Sequence, residues 1–384
     1  MNEPIPLARP ELGAREEELL LEVLRSGSLS LGAKLDQFEL DFGEWLGGGY
    51  AVAVSSGTAA LHLGVRAMGW GEGDEVITSP FSFVASANAL LYEGAVPVFC
   101  DIDPVTLNVD PERVAATVTE KTAGLLPVHI FGYPADLSAL AEIASDRGVG
   151  IMEDACQALG AVDATGGKVG TAGNLATFAF YANKQMTTGE GGVVVTTEEE
   201  LAERFRSERN QGRAPDMTQL EHDRLGFNYR MSDLQAALGI AQVERLQELL
   251  DARDDVAALY RERLTQLGAA PAGHEDDHDL VLPCENRGSE RRSWFVFVVQ
   301  LPRATDRAAV IAKLGDQGIA SKAYLPCIHL LPHYRERFGF EGGEFPIAER
   351  VAERSLALPF FTSMSESQVE RVCSALGEAL GIHA

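Results

Sequence analysis

Lys184 stands where an apolar run, Leu175–Tyr181, gives way to the polar turn ANKQMTTGEGG before a second run, Val193–Thr196. Burial lowers the pKa of an ammonium group, because the charged form loses its hydration. A neutral amine is a nucleophile toward an aldehyde, so a desolvated lysine suits imine chemistry. Only six of the 32 basic residues are lysine, at 34, 121, 168, 184, 313 and 322. Arginine forms no imine, so a lysine at this place in an arginine-biased chain is informative. By itself the pattern also describes a solvated turn lysine.

Two further stretches narrow the chemistry. The turn Ser55-Ser56-Gly57-Thr58-Ala59 lies between a strand, Ala51–Ser55, and a helix, Ala59–Met68. Free backbone N–H groups and the positive end of the helix dipole gather at such a junction, which suits a phosphate. Gly57 permits close backbone approach, and Ser56 and Thr58 add hydroxyls, although a plain N-cap has the same residue types. In VGIMEDACQALG, Asp154 ends an apolar strand and precedes a small-residue helix. A carboxylate at the carboxyl end of a parallel strand faces the crevice where such sheets bind ligands. There it would keep a pyridinium nitrogen protonated, the usual partner of a pyridoxal phosphate ring. Phe83 follows another strand, ending at Thr78, and is placed either to stack on a planar ring or to fill the core. A phosphate cradle, a ring-nitrogen partner and an imine-forming amine, each at a strand end, fit together better than three separate structural accidents.

These positions need a sheet to hold them. Apolar runs at Ala51–Ser55, Glu75–Thr78, Pro97–Phe99, Ala123–Val128, Val149–Met152, Leu175–Tyr181 and Val193–Thr196 alternate with helical segments at 59–68, 82–92, 111–118 and 136–146. That alternation predicts an α/β fold, a mostly parallel central sheet wrapped by helices. The link from Tyr181 to Val193 is too short for a crossover helix and predicts a hairpin. Earlier helices are expected over 15–26 and 34–46, and a later one over 198–209. A long helical run from Ser232 or Asp233 to near Leu267 is expected to bridge two domains, 1–245 and a smaller C-terminal α/β domain, 246–384. The second contains expected strands at Trp294–Leu301 and Ala320–Leu325 and helices at 306–316, 347–356 and 365–380.

The net charge of −25 and pI near 4.7 argue against nucleic acid and anionic membranes as partners. Five widely spaced cysteines give neither a disulfide framework nor a zinc ribbon. No apolar run approaches membrane-spanning length and the N-terminus carries no apolar signal core, so a cytoplasmic location is expected. No metal is expected. His274 and His278 flank a polar acidic stretch that reads as surface, and His329 and His333 lack a nearby carboxylate pair in the sequence. The glycines of GWGEGDE precede a strand and form no dinucleotide fingerprint.

The segments SSGTAAL, GEGDEVITSPFSFVASANA, PVFCDIDP, PVHIFGYPADL, EDACQALGA, FYANKQMTTGEGG, LGFNYRMSDLQAALG and ALPFF together resemble the DegT-type nucleotide-sugar aminotransferases, which share the aspartate aminotransferase fold, pyridoxal phosphate fold type I. The resemblance covers essentially the whole chain. It implies pyridoxal 5'-phosphate on Lys184, with Asp154 at the pyridine nitrogen, Gln157 near the phenolic oxygen and Phe83 stacked on the ring. It places Gly57, Thr58 and Ala59 around the phosphate, with Asn228 reaching the phosphate of a neighbouring subunit in a homodimer. Tyr181, Glu190, Arg230 and His329 are the substrate-side residues it implies. Relatives often carry a phosphate-binding serine five residues before the lysine, where this chain has Ala179, so one donor is missing. Lys184 itself excludes the branch that has histidine there and dehydrates sugars. The implied reaction moves an amino group from L-glutamate to a nucleotide-linked keto-sugar. The TTGEGG ending favours an NDP-4-keto-6-deoxysugar. The alternatives are a 3-ketosugar or aminocyclitol acceptor, or a regulatory protein that binds the cofactor without turnover.

Overall fold

The computed structural model describes residues 3–173, 175–214, 221–273 and 278–382. Helices Ala14–Ser26 and Ala33–Leu46 open it, and both end on glycines in the left-handed region, Gly27 and Gly47. Residues at helical spacing, Leu35, Phe38 and Phe42, face inward and meet the sheet. The strands of that sheet are β1 (Tyr50–Val54), β2 (Glu75–Thr78), β3 (Val96–Phe99), β4 (Thr122–Leu126), β5 (Gly150–Ile151), β6 (Glu153–Asp154), β7 (Leu175–Ala179) and β8 (Gly192–Thr196).

The strand order is β1-β8-β7-β6 on one side and β5-β4-β2-β3 on the other. Only Met152 separates β5 from β6. Its N–H donates to Leu125 O at 3.0 Å, and Asp154 N–H donates to Pro127 O at 2.9 Å, so the backbone pairing runs on from one half to the other. All pairs are parallel except those of β8, which is antiparallel to both β1 and β7. The expected hairpin is therefore present, with Ala179 opposite Gly192 at its closed end. Helices Gly57–Met68, Ala85–Tyr92, Pro111–Thr117 and Leu137–Arg147 supply the crossovers.

The C-terminal unit is built on an antiparallel sheet of β9 (Phe297–Gln300), β10 (Lys322–Ala323) and β11 (Ser355–Leu358), in the order β10-β11-β9. Helices Leu246–Gln266 and Glu366–Leu380 pack on it around Tyr260, Phe297 and Phe360. Here the structure departs from the sequence reading in four places. The expected long helix is two, Asp233–Glu244 and Leu246–Gln266, broken at Arg245. Neither glycine nor proline marks that break. The Arg245 guanidinium bonds Glu11 O at 2.7 Å and Glu16 Oε1 at 3.0 Å, a tertiary anchor with no local signature. The expected helix 347–356 ends at Arg354, and Ser355 begins β11, because SLAL is a short apolar run that both periods accommodate. Pro332–Phe338 forms a short helix with proline in its first turn, and no helix was expected there. Finally, Ile5 joins the C-terminal core, and Leu7 packs in a cluster that draws on both units. Ile5 N–H donates to Gly318 O at 2.8 Å and Phe360 N–H to Leu7 O at 2.9 Å.

The second opening helix is held on the sheet by four rings. Phe42 lies 6.1 Å from Phe38 and 5.5 Å from both Phe178 and Phe180, tilted or edge-on to each. Phe42→Ala is expected to cost about 3–5 kcal/mol of folding stability, from lost transfer energy plus a cavity, measured by urea denaturation.

Candidate active site

The turn carrying Lys184 is pinned rather than loose. Phe180 N–H donates to Gly191 O at 2.9 Å and Thr188 N–H to Phe180 O at 3.0 Å, extending the hairpin into the turn. Gln242 accepts from Thr187 N–H at 3.2 Å, and Gln235 Nε2 donates to Glu190 O at 2.6 Å. Gln185 reaches away from the sheet to Gln157 O at 2.8 Å and Ser293 O at 3.1 Å. Between these anchors the Lys184 amine lies 4.2 Å from the centre of the Phe295 ring. Burial holds its pKa below the ordinary lysine value, against an upward pull from Cys156 and Asp154. Burial also pushes the Cys156 thiol well up, so it stays protonated.

Asp154 is 3% exposed and oriented from both oxygens. Ser86 Oγ donates to Oδ2 at 2.6 Å, and Cys156 N–H donates to Oδ1 at 3.1 Å. The adjacent Glu153 points to the other side of the strand. There it accepts Gly170 N–H at 2.9 Å and faces His129 Nε2 at 3.2 Å. His129 Nδ1 accepts Ala135 N–H at 2.9 Å, which fixes the ring proton on Nε2. Alternation along the strand thus separates a structural carboxylate from one that faces the crevice.

The phosphate cradle is the start of helix Gly57–Met68. Ser56 caps it, accepting Ala59 N–H at 3.1 Å, which leaves the N–H groups of Gly57 and Thr58 without intrahelical partners. A Cβ at position 57 would lie 2.5 Å from Ala179 Cβ and 3.1 Å from Cys156 Sγ, and one at 192 would lie 2.7 Å from the Ser56 carbonyl. Both glycines are therefore needed for the helix to sit over the hairpin. The same distances join the three predicted parts, because Cys156 touches Gly57 on one side and Asp154 on the other. A phosphorylated pyridine aldehyde fits this donor set: amides for the phosphate, a fixed carboxylate for the ring nitrogen and a desolvated amine for the aldehyde. Gln157 is buried and its Oε1 accepts Phe131 N–H at 2.9 Å, which sets the direction of its amide. Among the described residues its Nε2 has no partner. Asn183 Oδ1, beside Lys184, is likewise buried without a hydrogen bond.

The remaining expected residues are placed as follows. Phe83 and Tyr181 are exposed, as are Glu190 and Asn228, so their faces are open to a ligand or a second copy. Arg230 is partly buried and donates to Asn210 Oδ1 at 2.9 Å and Gln211 Oε1 at 3.1 Å. Its neighbour Tyr229 accepts Ser55 N–H at 2.7 Å, so the 228–230 segment runs beside the cradle. His329 corrects the sequence reading. It is fully buried among Phe99, Phe340 and Phe345 and offers no face to a cleft. It also has the carboxylate pair that the sequence seemed to lack, Glu344 and Glu349, with Nε2 3.0 Å from Glu349 Oε1. Those carboxylates are already taken by the N–H groups of residues 341, 342, 343 and 345, which makes the cluster a cap on the loop before helix Pro346–Arg354. His274 falls outside the described residues. Sequence reasoning missed Ser86, Phe295 and Tyr324. Burial pushes the Tyr324 phenol up to about 12, so it remains protonated, and it faces Asn183. Only the placing of Ser86 one helical turn beyond Phe83 hinted at its role.

Two substitutions test the cradle. Ala179→Ser puts a hydroxyl where the Ala179 Cβ meets Gly57, and is expected to tighten pyridoxal phosphate binding by about 0.5–1.5 kcal/mol. Gly192→Ala drives a methyl into the Ser56–Gly57 backbone and is expected to weaken it by about tenfold or more. Cofactor titration followed by absorbance reads both.

Comparison with known proteins places the chain in a family. Residues 10–377 match the DegT/DnrJ/EryC1/StrS aminotransferase family. The GDP-perosamine synthase of Caulobacter vibrioides is 36% identical, over 98% of this chain and 98% of its own. The structure of Streptomyces (S. venezuelae) DesV in complex with a ketimine intermediate superposes with a TM-score of 0.89 at 32% identity, covering 100% of each chain. A putative sugar aminotransferase from Streptococcus pneumoniae in its PLP form gives a TM-score of 0.91 at 25% identity, over 99% of each chain. The chain belongs to the DegT/DnrJ/EryC1/StrS aminotransferase family and is a pyridoxal-phosphate-dependent aminotransferase.

Proposed function

We propose that this aminotransferase moves an amino group from L-glutamate to C4 of an NDP-4-keto-6-deoxysugar. The observation that carries the reading is the meeting of the Lys184 amine, the Asp154 carboxylate and the Gly57 cradle around one crevice. The choice of sugar rests on the likeness to a GDP-perosamine synthase and on the TTGEGG turn. When bound, pyridoxal phosphate supplies the aldehyde that carries the amino group between half-reactions and a pyridinium ring that accepts carbanion charge. The chain's own residues do the rest. Gly57 and Thr58 N–H groups would hold the phosphate. Asp154, aimed by Ser86 and the Cys156 N–H, would face the ring nitrogen. Lys184 would hold the aldehyde, and its amine would move the proton at the substrate carbon. Asn228, on an exposed segment beside the cradle, completes the phosphate site of a second copy in a homodimer. Tyr181, Glu190 and Arg230 form the substrate side of the opening.

Lys184→Ala is expected to lower turnover by about a thousandfold or more. Near-wild-type turnover by that variant removes the catalytic assignment. Because burial depresses the lysine pKa, the reactive neutral amine prevails above that lowered value. Uptake of pyridoxal phosphate by the apo-protein should therefore rise with pH and level off below 10.5, the ordinary lysine value. The acceptor is settled by incubating holoenzyme and glutamate with 3-keto and 4-keto nucleotide sugars and locating the new amine by NMR. Amination at C3 overturns the choice of sugar.

A further inference from the structure

Arg253 is a buried cation that no carboxylate pairs with among the described residues. It lies on helix Leu246–Gln266 in the C-terminal unit and is 4% exposed. Its neighbours on the helix, Asp251 and Asp254, bind Arg291 instead. The one anion whose field reaches it, Glu11, is engaged by Arg245 and Thr362. Burial pushes the guanidinium down to about 10, so it is still charged at neutral pH. Taking a charge out of water is costly, and no partner charge offsets that cost here, so the position of this charge needs a reason.

Its hydrogen bonds supply one. Nη2 donates to the Lys184 carbonyl at 2.8 Å, while Nη1 faces the carbonyls of Trp294 and Phe295, each at 3.4 Å. The guanidinium lies over Phe360, 5.8 Å from its centre, and Nε has no partner. Lys184 and Phe295 belong to different units of the fold, and the Phe295 ring is the surface against which the Lys184 amine rests. One planar fork therefore holds the main chain of the lysine and the main chain of the ring beneath its amine.

We infer that Arg253 is a positioning residue for the catalytic lysine, fixing the Lys184 amine relative to Phe295 and to the crevice by clamping both backbones. A planar guanidinium spans carbonyls of two segments at once, whereas an ammonium is a point donor on a flexible stem. Arg253→Lys keeps the charge and loses the fork. Misplacing a reacting group by about 1 Å lowers rate by up to about a hundredfold without removing binding contacts. The inference rests on Lys184 as the cofactor lysine and is independent of which sugar is aminated.

The test uses the holoenzymes of wild type, Arg253→Lys and Arg253→Gln. Visible circular dichroism per bound cofactor reports the fixed orientation at Lys184, and rapid mixing with the amino donor gives the rate and the KM separately. The expected result for Arg253→Lys is a thermal midpoint close to wild type, a clear loss of visible dichroism, and a rate about tenfold lower or more with KM little changed. Arg253→Gln should fall at least as far. Wild-type dichroism and rate in folded Arg253→Lys overturn the assignment, and so does failure of both variants to fold, which would make Arg253 a residue of the fold alone. A wild-type protein whose cofactor attaches at a lysine other than 184 refutes the underlying site instead, and borohydride trapping with peptide mapping identifies that outcome.

Discussion

A neutral amine and a charged carboxylate have to face the same crevice without neutralising each other. Burial of Lys184 favours its uncharged form, whereas a carboxylate that keeps a ring nitrogen protonated acts as an anion. The chain reconciles the two by solvating Asp154 with protein. A hydroxyl from Ser86 and a backbone N–H from Cys156 take the place of water on the carboxylate. Among the described residues the Lys184 amine has no such partner, and it lies against an aromatic face.

The surrounding elements can be ranked by how they serve that pair. The hairpin of β7 and β8 sets the height of Lys184, and its closed end meets the start of helix Gly57–Met68 through Gly192 and Gly57. The strand of Asp154 carries Glu153 on its reverse face, where His129 and Gly170 fix it from behind. The C-terminal unit adds Phe295 and Tyr324 above the crevice and Arg253 behind the lysine. Residues 5–11 run across both units, pairing with Gly318 at one end and with Arg245 at the other. The site thus depends on contacts distant in sequence, and no single segment would assemble it.

That distinction explains what was legible. The strands at Glu75–Thr78 and Leu175–Ala179, the hairpin, and the glycine-serine turn at 55–58 follow from local period and turn chemistry, which a sequence displays directly. Lys184, Asp154 and Gly57 stand out in the sequence because each is an anomaly at a strand end. Ser86 and Arg253 do not, since a serine on a small-residue helix and an arginine on a charged helix are unremarkable until the fold brings partners to them. His329 shows the opposite failure. Its motif resembles a cleft-lining segment, but Glu349 and three aromatic rings draw it into the interior. The break at Arg245 and the start of β11 at Ser355 were hidden for the same reason, because tertiary anchors decided between two locally acceptable conformations.

The overall charge imposes a further condition on any phosphorylated ligand. At −25 the molecule repels anions at long range, more so at low ionic strength. A cradle built on a lysine or arginine side chain would offset this locally but would place another cation near Lys184, and that cation would compete for Asp154. Backbone N–H groups at a helix start supply positive potential with no titratable proton and no side chain to reorient. They also cannot be neutralised by the acidic surface, because their direction is fixed by the helix. A helix start at Gly57 and Thr58, with Ala179 packed close enough to exclude a bulkier residue at 57, would suit a phosphate in an acidic protein without adding a cation beside Lys184 and Asp154.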